Sequence, residues 1–334
     1  MKQSFGRLAD GTEVYRYTIS RGNLTACITD LGATLVNLWV HDMDVVLGYD
    51  TPQEYRDSDT FFGAIVGRNA NRIQNAAFTL NGRQYALDKN DNERNNLHSG
   101  RDFFKDRLWT VAEHSESMVR MELYSPDGDQ GFPGRATISV TYRIEPDDTL
   151  IICYDALCDK DTVFNMTNHS YFNLAGHHHP ERAMDQTLIL PSRYYTPSDK
   201  FSIPTGEKRS VKNTPMDFRI PKAIGADLSQ EFEAFTLQGG YDHNFEVFAN
   251  PCAILCDPES GRTMAVSTDC PGIQVYSANY LDNEKGKDGA VYCRRGGICL
   301  ETQFFPNSIN CADFLQPITP ACTPYHSQTS YRFR

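Results

Sequence analysis

The segment LTACITDLGATLVNLWV, residues Leu24–Val40, sets the structural pattern of the chain. Apolar residues alternate with small or polar ones, the alternation breaks at Asp30–Gly32, and it then resumes. A period of two places successive side chains on opposite faces of a β-strand. The segment therefore predicts two strands joined by a turn.

The same strand–turn–strand pattern recurs along the chain. Phe78–Leu87 contains Asn81-Gly82 between two short alternating runs, and this dipeptide favours the positive φ angles of a tight hairpin turn. Further predicted pairs are Ala136–Ile144 with Leu150–Leu157 and Ala253–Cys256 with Thr263–Val266. Helical periodicity is scarce, and only Pro52–Ser58 and Ser229–Phe235 predict short turns of helix.

These patterns predict an all-β protein with few short helices. The chain has 334 residues without an internal repeat or an interdomain linker, so we expect one large antiparallel β-sandwich domain over residues 1–334. The longest irregular stretch is Pro191–Pro215. A loop of that length in a domain is usually functional or packed over the core, and we expect one of these roles here.

Composition argues against several classes of partner. The formal net charge is −11, which argues against a nucleic-acid or anionic-membrane surface, although solubility alone also explains it. The N-terminus lacks an apolar signal core, and no apolar run approaches the ~20 residues of a membrane helix. Ten cysteines include no C-x-x-C pair. We therefore expect a reduced, cytoplasmic protein with a small-molecule partner.

Three polar segments are candidates for a shared site. TNHSYFNLAG (Thr167–Gly176) places a histidine, a serine and a tyrosine between two asparagines, behind a predicted strand. The other two segments are GYDHNF (Gly240–Phe245) and ICLETQ (Ile298–Gln303). Polar groups at strand ends tend to face a pocket, because strand ends and loops can be solvated. We therefore expect these segments to meet at one cleft.

Glu301 and His169 are the candidate acid–base groups. Alternation puts Ile298 and Leu300 on one face of their strand and Glu301 on the other. A carboxylate on a largely apolar strand is costly to bury without a partner, so Glu301 is a candidate base with a raised pKa. His169 titrates near pH 7 and fits a general acid, but it also fits a hydrogen-bonded cap at a strand end.

Other polar residues carry weaker signals. The arginines of GRNANRI (Gly67–Ile73) offer rigid forks of donors for ligand oxygens, yet the segment also fits a surface turn. His98 fits an ordinary loop histidine, and Asp242 fits either an acceptor for ligand hydroxyls or a turn cap. Gln274 alternates with apolar neighbours and therefore lies on the polar face of its strand.

Two stretches resemble sets of metal ligands. His177–His179 is a run of three histidines, but consecutive residues cannot easily face one ion, and no acidic or cysteine residue lies at ligand spacing. Asp127–Gly131 begins like a calcium loop, but the rest of that pattern is missing. We therefore expect a solvated loop and a turn, and no metal.

Taken together, the polar segments resemble the aldose 1-epimerase (galactose mutarotase) family. They occur in the family's order and, with the final strand near Tyr331–Phe333, cover nearly the whole chain. Two departures are Ser99-Gly100, where the family more often has two glycines, and Phe304-Phe305, which replaces a more usual polar–aromatic pair. The matching stretches are GRNANRI (67–73), NLHSG (96–100), SPDGDQGFPG (125–134), NHSYFNLAG (168–176), GYDHNF (240–245), GIQVYS (272–277) and LETQFFPNS (300–308).

The resemblance implies a large antiparallel β-sandwich with an open cleft, and an isomerase that interconverts the α and β anomers of free aldoses without metal or organic cofactor. The oligomeric state, a monomer or a weak dimer, is not fixed by the sequence. By matching positions, Glu301 is the base and His169 the acid. The implied sugar-binding residues are Arg72, His98, Asp242 and Gln274, with Asn71, Ser170 and Tyr171 nearby.

Three other functions stay open at this point. A glycoside hydrolase needs two carboxylates, for which Asp242 and Glu301 are available. A sugar-binding protein with an inactive site conflicts with the presence of both Glu301 and His169. An epimerase of hexose 6-phosphates needs a basic cluster, and the matched segments offer only Arg68 and Arg72.

Overall fold

The computed structural model describes residues 1–334, and its largest element is an antiparallel nine-stranded sheet. The pair predicted as Ala136–Ile144 with Leu150–Leu157 lies within this sheet, where Ala136–Glu145 pairs with Thr149–Cys158 without a break in register. In spatial order its strands are Thr110–His114, Met118–Ser125, Ala136–Glu145, Thr149–Cys158, Tyr325–Phe333, Thr263–Thr268, Ala253–Cys256, Thr187–Ile189 and Lys222–Ala223.

Two smaller antiparallel sheets form the opposite layer. The N-terminal sheet contains Lys2–Arg7, Glu13–Arg21, Leu24–Thr29, Leu35–Val40 and Met43–Asp44. The other, here called the cleft sheet, contains Tyr171–Phe172, Ile298–Gln303, Gly272–Tyr276, Asp242–Glu246, Tyr194–Tyr195 and Arg209–Ser210. The predicted break at Asp30–Gly32 is confirmed, because Leu24–Thr29 and Leu35–Val40 pair antiparallel across it.

Short ladders and helices connect the sheets. The two-stranded ladders are Ala64–Val66 with Thr167–His169, Arg72–Ile73 with Asn96–Leu97, Ala77–Leu80 with Arg83–Ala86, Thr162–Val163 with Ile318–Thr319, and Glu284–Lys285 with Val291–Tyr292. The α-helices are Pro52–Asp57 and Glu233–Gln238. The 3₁₀ helices are Gln74–Ala76, Phe104–Asp106, Asp129–Gly131, Pro180–Asp185, Ile224–Asp227, Lys287–Gly289 and Ser308–Asn310. None of these helices has the length and apolar character needed to cross a membrane.

The core lies between the two layers. Ile28 of the N-terminal sheet, Ile152 of the nine-stranded sheet and Leu300 of the cleft sheet belong to one cluster of 54 buried apolar residues. Burying one such side chain stabilises the fold by ~1.5–3 kcal/mol. Inward-facing residues from both layers therefore hold the layers together, and the predicted all-β sandwich with few short helices is confirmed.

Residues with positive φ angles explain why the predicted hairpin is present and why one predicted helix lies further along the chain. Asn81 and Gly82 adopt φ of 52° and 75°, and they connect Ala77–Leu80 to Arg83–Ala86 as the hairpin signal predicted. The helix expected over Ser229–Phe235 instead covers Glu233–Gln238, because Gly239, at φ 74°, provides the left-handed residue that ends it.

The irregular segment Pro191–Pro215 contributes to the core. It supplies the edge strands Tyr194–Tyr195 and Arg209–Ser210 of the cleft sheet, and the buried side chains of Tyr195 and Val211 join the main apolar cluster. Of the two roles expected for this stretch, function or packing over the core, the structure therefore shows packing.

Candidate active site

Glu301 lies on the outward face of the cleft sheet. Its strand neighbours Ile298 and Leu300 enter the core, so the alternation turns Glu301 to the opposite face. Across the ladder, Glu301 pairs with Gln274, whose Nε2 donates a 2.7 Å hydrogen bond to Oδ1 of Asp242. Strand pairing thus brings together three residues that are far apart in sequence.

His169 approaches Glu301 from a neighbouring ladder. The strand Thr167–His169 pairs with Ala64–Val66, and the chain then enters the cleft sheet at Tyr171. His169 Nε2 lies 3.7 Å from Glu301 Oε2, and the imidazole stacks on the Tyr171 ring at a centroid distance of 5.2 Å. The packing of Tyr171 therefore fixes the imidazole plane beside the carboxyl group.

A cavity of about 520 Å³ contains the side chains of this pair. That volume is within the ~300–1,000 Å³ typical of small-molecule sites. Aromatic rings of Phe61, Tyr276 and Tyr280 form part of its wall. Seven of the nine predicted site residues line it, namely Asn71, Arg72, His98, His169, Tyr171, Asp242 and Glu301.

The two remaining predicted residues do not line this cavity. Gln274 lies behind Asp242 and lines a small adjoining cavity instead. The Ser170 side chain is buried, and its Oγ has no hydrogen-bond partner. Since His169 and Tyr171 face the cleft, the strand period of two turns Ser170 to the other side.

Hydrogen bonds orient two further residues of the cavity wall, His98 and Arg72. His98 Nδ1 accepts a 3.2 Å hydrogen bond from the Asn71 backbone N–H, so the ring proton is on Nε2. Burial holds the pKa of His98 well below its usual range, and the neighbouring ionisable groups of His169 and Arg72 lower it further. Arg72 Nε donates to Asp91 Oδ2 at 3.2 Å, so its two terminal nitrogens stay available at the cavity wall.

The surroundings of the Glu301 carboxyl make it more basic than a carboxyl in water. Its side chain is 3% exposed, and Oε2 has no hydrogen-bond partner. Burial raises the pKa of Glu301 well above its usual value, the negative charge of Asp242 raises it further, and Arg72 partly opposes the shift. A carboxylate in this position gains more from accepting a proton than one in water does.

His169 is a neutral imidazole in the free protein at pH 7. Burial lowers the pKa of His169 to about 4. Its Nδ1 lies 3.6 Å from Cys299 Sγ, and burial keeps that thiol protonated by raising its pKa well above the usual value. A thiol that donates to Nδ1 leaves the imidazole proton on Nε2, the nitrogen nearer Glu301.

The same three side chains include potential metal ligands. Ligand atoms of His169, Cys299 and Glu301 lie within 4.8 Å of one another. However, Cys299 contacts Nδ1 of the imidazole, whereas Glu301 lies closer to Nε2. Each ring nitrogen thus has its own near partner, Cys299 Sγ at 3.6 Å from Nδ1 and Glu301 Oε2 at 3.7 Å from Nε2, an arrangement that fits a hydrogen-bonded chain.

Arg68 does not contribute to the cavity. Its side chain is fully buried and donates hydrogen bonds to Ser125 and to the carbonyl oxygens of Pro133 and Gly134. The guanidinium therefore supports a structural turn. Of the two arginines in the motif, only Arg72 is positioned to meet a ligand.

Cys299, Phe61 and Tyr276 are site residues that were not among those predicted from the sequence. Cys299 lies two positions before Glu301, so the strand period of two was a signal for its placement. Tyr276 follows Gln274 by the same interval. Phe61, at φ 60°, precedes its strand in a turn, and no local pattern marked it.

Known proteins resemble this chain along its whole length. A galactose mutarotase from Sus scrofa is 38% identical over 340 residues, which cover 98% of this chain and 97% of that protein. An aldose 1-epimerase from Haemophilus influenzae is 36% identical over the full length of both. A crystal structure of a GalM/aldose epimerase homologue from C. elegans has a TM-score of 0.87 and 29% identity, over 96% of this chain and 98% of that one. The aldose 1-epimerase family model matches residues 15–332, and the chain therefore belongs to the aldose 1-epimerase family, whose members are carbohydrate isomerases.

Proposed function

We propose that this enzyme interconverts the α and β anomers of free hexoses, glucose and galactose among them, by acid–base opening and closure of the ring. The observation that carries the proposal is the buried Glu301 carboxyl, with an unpaired oxygen 3.7 Å from the His169 imidazole, inside a cavity lined by neutral and charged donors. Mutarotation requires one base for the C1 hydroxyl and one acid for the ring oxygen of a hemiacetal.

The proposed reaction conserves one proton shared by the Glu301–His169 pair. In the reactive form, Glu301 is a carboxylate and His169 carries a proton on both ring nitrogens. Glu301 takes the proton of the C1 hydroxyl while His169 Nε2 gives its proton to the ring oxygen, and the bond between C1 and the ring oxygen breaks. The open-chain aldehyde then lies beside a neutral carboxylic acid and a neutral imidazole.

Ring closure reverses these transfers. The C1–C2 bond rotates by about half a turn, and the former ring oxygen attacks the other face of the aldehyde. His169 takes the proton of that hydroxyl while Glu301 returns a proton to the aldehyde oxygen. Because burial raises the pKa of Glu301 and lowers that of His169, the environment favours the neutral pair that accompanies the open chain.

The neighbouring groups fit the task of holding sugar hydroxyls. Arg72 and His98 present N–H donors to the cavity, and Asp242 presents carboxylate oxygens. Aromatic rings such as Phe61 cover an apolar side of the cavity and pack against both histidines, at centroid distances of 4.9 Å to His98 and 5.9 Å to His169. We propose that these groups bind the substrate and that Gln274 orients Asp242.

The substrate prediction separates this proposal from a hexose 6-phosphate epimerase. Asp57, Asp59 and Glu284 line the cavity, and Arg68 is unavailable, so a phosphate dianion meets net repulsion. We expect free glucose and galactose to turn over, with kcat/KM for their 6-phosphates lower by at least ~10-fold. Polarimetry on freshly dissolved α anomers measures both. A 6-phosphate that reacts with a higher kcat/KM than the free sugar would overturn the assignment, and release of free sugar from a methyl glucoside would favour a hydrolase.

The pH dependence tests the state of the buried pair. At low pH both Glu301 and His169 are protonated, and no base remains. At high pH the pair has lost its shared proton, and no acid remains. The rate should therefore follow a bell-shaped pH profile, whose two apparent pKa values belong to the pair and not to either residue. We expect the acid limb of kcat/KM near pH 4, rather than near the ordinary histidine value of 6.5, because burial lowers the pKa of His169 to about 4. The basic limb should lie well above 4.5, since the pKa of Glu301 is raised from that value. Rates corrected for spontaneous mutarotation provide the test, and an acid limb at 6.5 would contradict a buried imidazole.

A further inference from the structure

The histidine run at positions 177–179 lies beside an acidic residue that is far away in sequence. Asp288, in the 3₁₀ helix Lys287–Gly289, approaches His177 so that its Oδ2 is 3.7 Å from His177 Nε2. One ligand atom from each of His177, His178 and Asp288 lies within 4.8 Å of the other two. The ring centroids of His177 and His178 are 3.9 Å apart, so these two consecutive residues do bring their imidazoles to one place, contrary to the expectation from sequence. The expectation of a solvated loop is wrong for His177, whose side chain is 3% exposed, because the fold supplies a partner that local spacing does not reveal.

His177 is oriented as histidine ligands usually are. Its Nδ1 lies 3.1 Å from the Tyr292 hydroxyl, and its backbone N–H donates to the Asp44 carbonyl oxygen at 2.9 Å. A hydrogen bond at one ring nitrogen fixes the tautomer and points the other nitrogen at the metal in many protein sites. Here the free nitrogen is Nε2, and it faces the Asp288 carboxylate.

The ammonium group of Lys287 does not form an ion pair with the Asp288 carboxylate. Lys287 is adjacent to Asp288 in sequence, but its ammonium is buried against Asp44 Oδ2 at 2.5 Å and the Val36 carbonyl oxygen at 2.8 Å. The Asp288 side chain is 68% exposed, and its one salt-bridge contact is with His177. It is therefore available to a cation from solvent.

We propose that His177, His178 and Asp288 form a binding site for a divalent transition-metal ion, with Zn²⁺, Co²⁺ and Ni²⁺ as the fitting class. Two imidazoles and one carboxylate suit borderline metals, and water completes the coordination at the exposed side. Two ligand atoms at ~2.1 Å from a tetrahedral ion lie ~3.4 Å apart, so the 3.7 Å separation of His177 Nε2 and Asp288 Oδ2 needs little adjustment.

The site is separate from the catalytic cavity, because none of its three residues lines that cavity. A bound ion would join the loop that follows Gly176 to the turn Lys287–Gly289, two segments more than 100 residues apart. Its expected effect is stabilisation of that junction, with no part in proton transfer to the sugar.

Metal titration of the full-length protein tests this site. After treatment with a chelator, the protein is titrated with Co²⁺, followed by visible absorption, and with Zn²⁺, followed by calorimetry. We expect one equivalent to bind, and Asp288→Asn and His178→Asn each to weaken binding by at least ~10-fold. The matched control is His179→Asn, which removes the exposed third histidine near Glu181 and should leave binding unchanged.

Three results would overturn the proposal. The first is full affinity in Asp288→Asn, and the second is an equal loss in His179→Asn, which would indicate loose binding along the histidine run. The third is loss of mutarotase activity on Zn²⁺ binding that Cys299→Ser relieves, since the ion would then lie at His169, Cys299 and Glu301. Unchanged activity after both chelation and Zn²⁺ saturation supports the proposed location, and circular dichroism verifies that the variants are folded.

Discussion

Replacing Glu301 by Gln is expected to lower kcat by at least ~10²-fold with little change in KM, because an amide keeps the size of the carboxyl but cannot accept the C1 proton. The interaction that is lost exists only in the transition state. Initial rates of anomer exchange over a range of galactose concentrations, with wild type and variant compared, provide kcat and KM separately.

The kinetics of Glu301→Gln are interpreted beside those of a variant that should weaken sugar binding, and the folding of both variants is measured. Asp242→Asn should raise KM more visibly than it lowers kcat, since Asp242 is proposed to hold the ground-state sugar as well. Near-normal kcat in folded Glu301→Gln would show that the base is misassigned, and Asp242 would be the next candidate.

Glu301→Gln should not reduce thermal stability at pH 7. Burial raises the folded-state pKa of Glu301, so the stability that this carboxyl contributes is fully present below its unfolded-state pKa and is lost as the pH rises through the folded-state value. Glutamine cannot ionise and removes that loss. A low rate in a variant that melts no earlier than wild type therefore reports chemistry and not damage to the fold.

Replacing His169 by Asn is the second change with a large expected effect. Asparagine retains a donor of similar reach but has no proton to transfer near pH 7, so kcat should fall by at least ~10²-fold while KM changes little. Anomer-exchange kinetics again measure the result. His98→Asn is the matched control, because His98 is a second buried histidine of the cavity, 5.6 Å from His169 between ring centroids, and is proposed to bind sugar. An equal loss of kcat in both variants would argue against a special role for His169.

Much of the fold could be predicted from local sequence, because both strands and turns leave short-range signals. The alternation in Leu24–Val40 and the Asn81-Gly82 hairpin each depend on neighbours only a few residues apart, and both are present as predicted. The location of Glu301 on the outward face followed from the same period of two.

The features that could not be predicted depend on long-range contacts. No local pattern indicated that Arg68 would be buried against Ser125, or that Asp288 would approach His177. Ser170 is a different case. The family resemblance implied that it lies near the sugar, but its side chain is buried and does not line the cavity, because Ser170 alternates with His169 and Tyr171 along the strand. Applying the strand period within each motif would have corrected that expectation.

The central claim is that Glu301 and His169 act as one proton-transfer unit, and the double variant Glu301→Gln plus His169→Asn tests it most directly. Anomer-exchange rates of wild type, both single variants and the double variant form a thermodynamic cycle. If the two groups work only together, the double change should cost little more in kcat than the larger single change. Losses that multiply, so that two ~10²-fold effects become ~10⁴-fold, would contradict the claim, because each group would then be acting independently of the other.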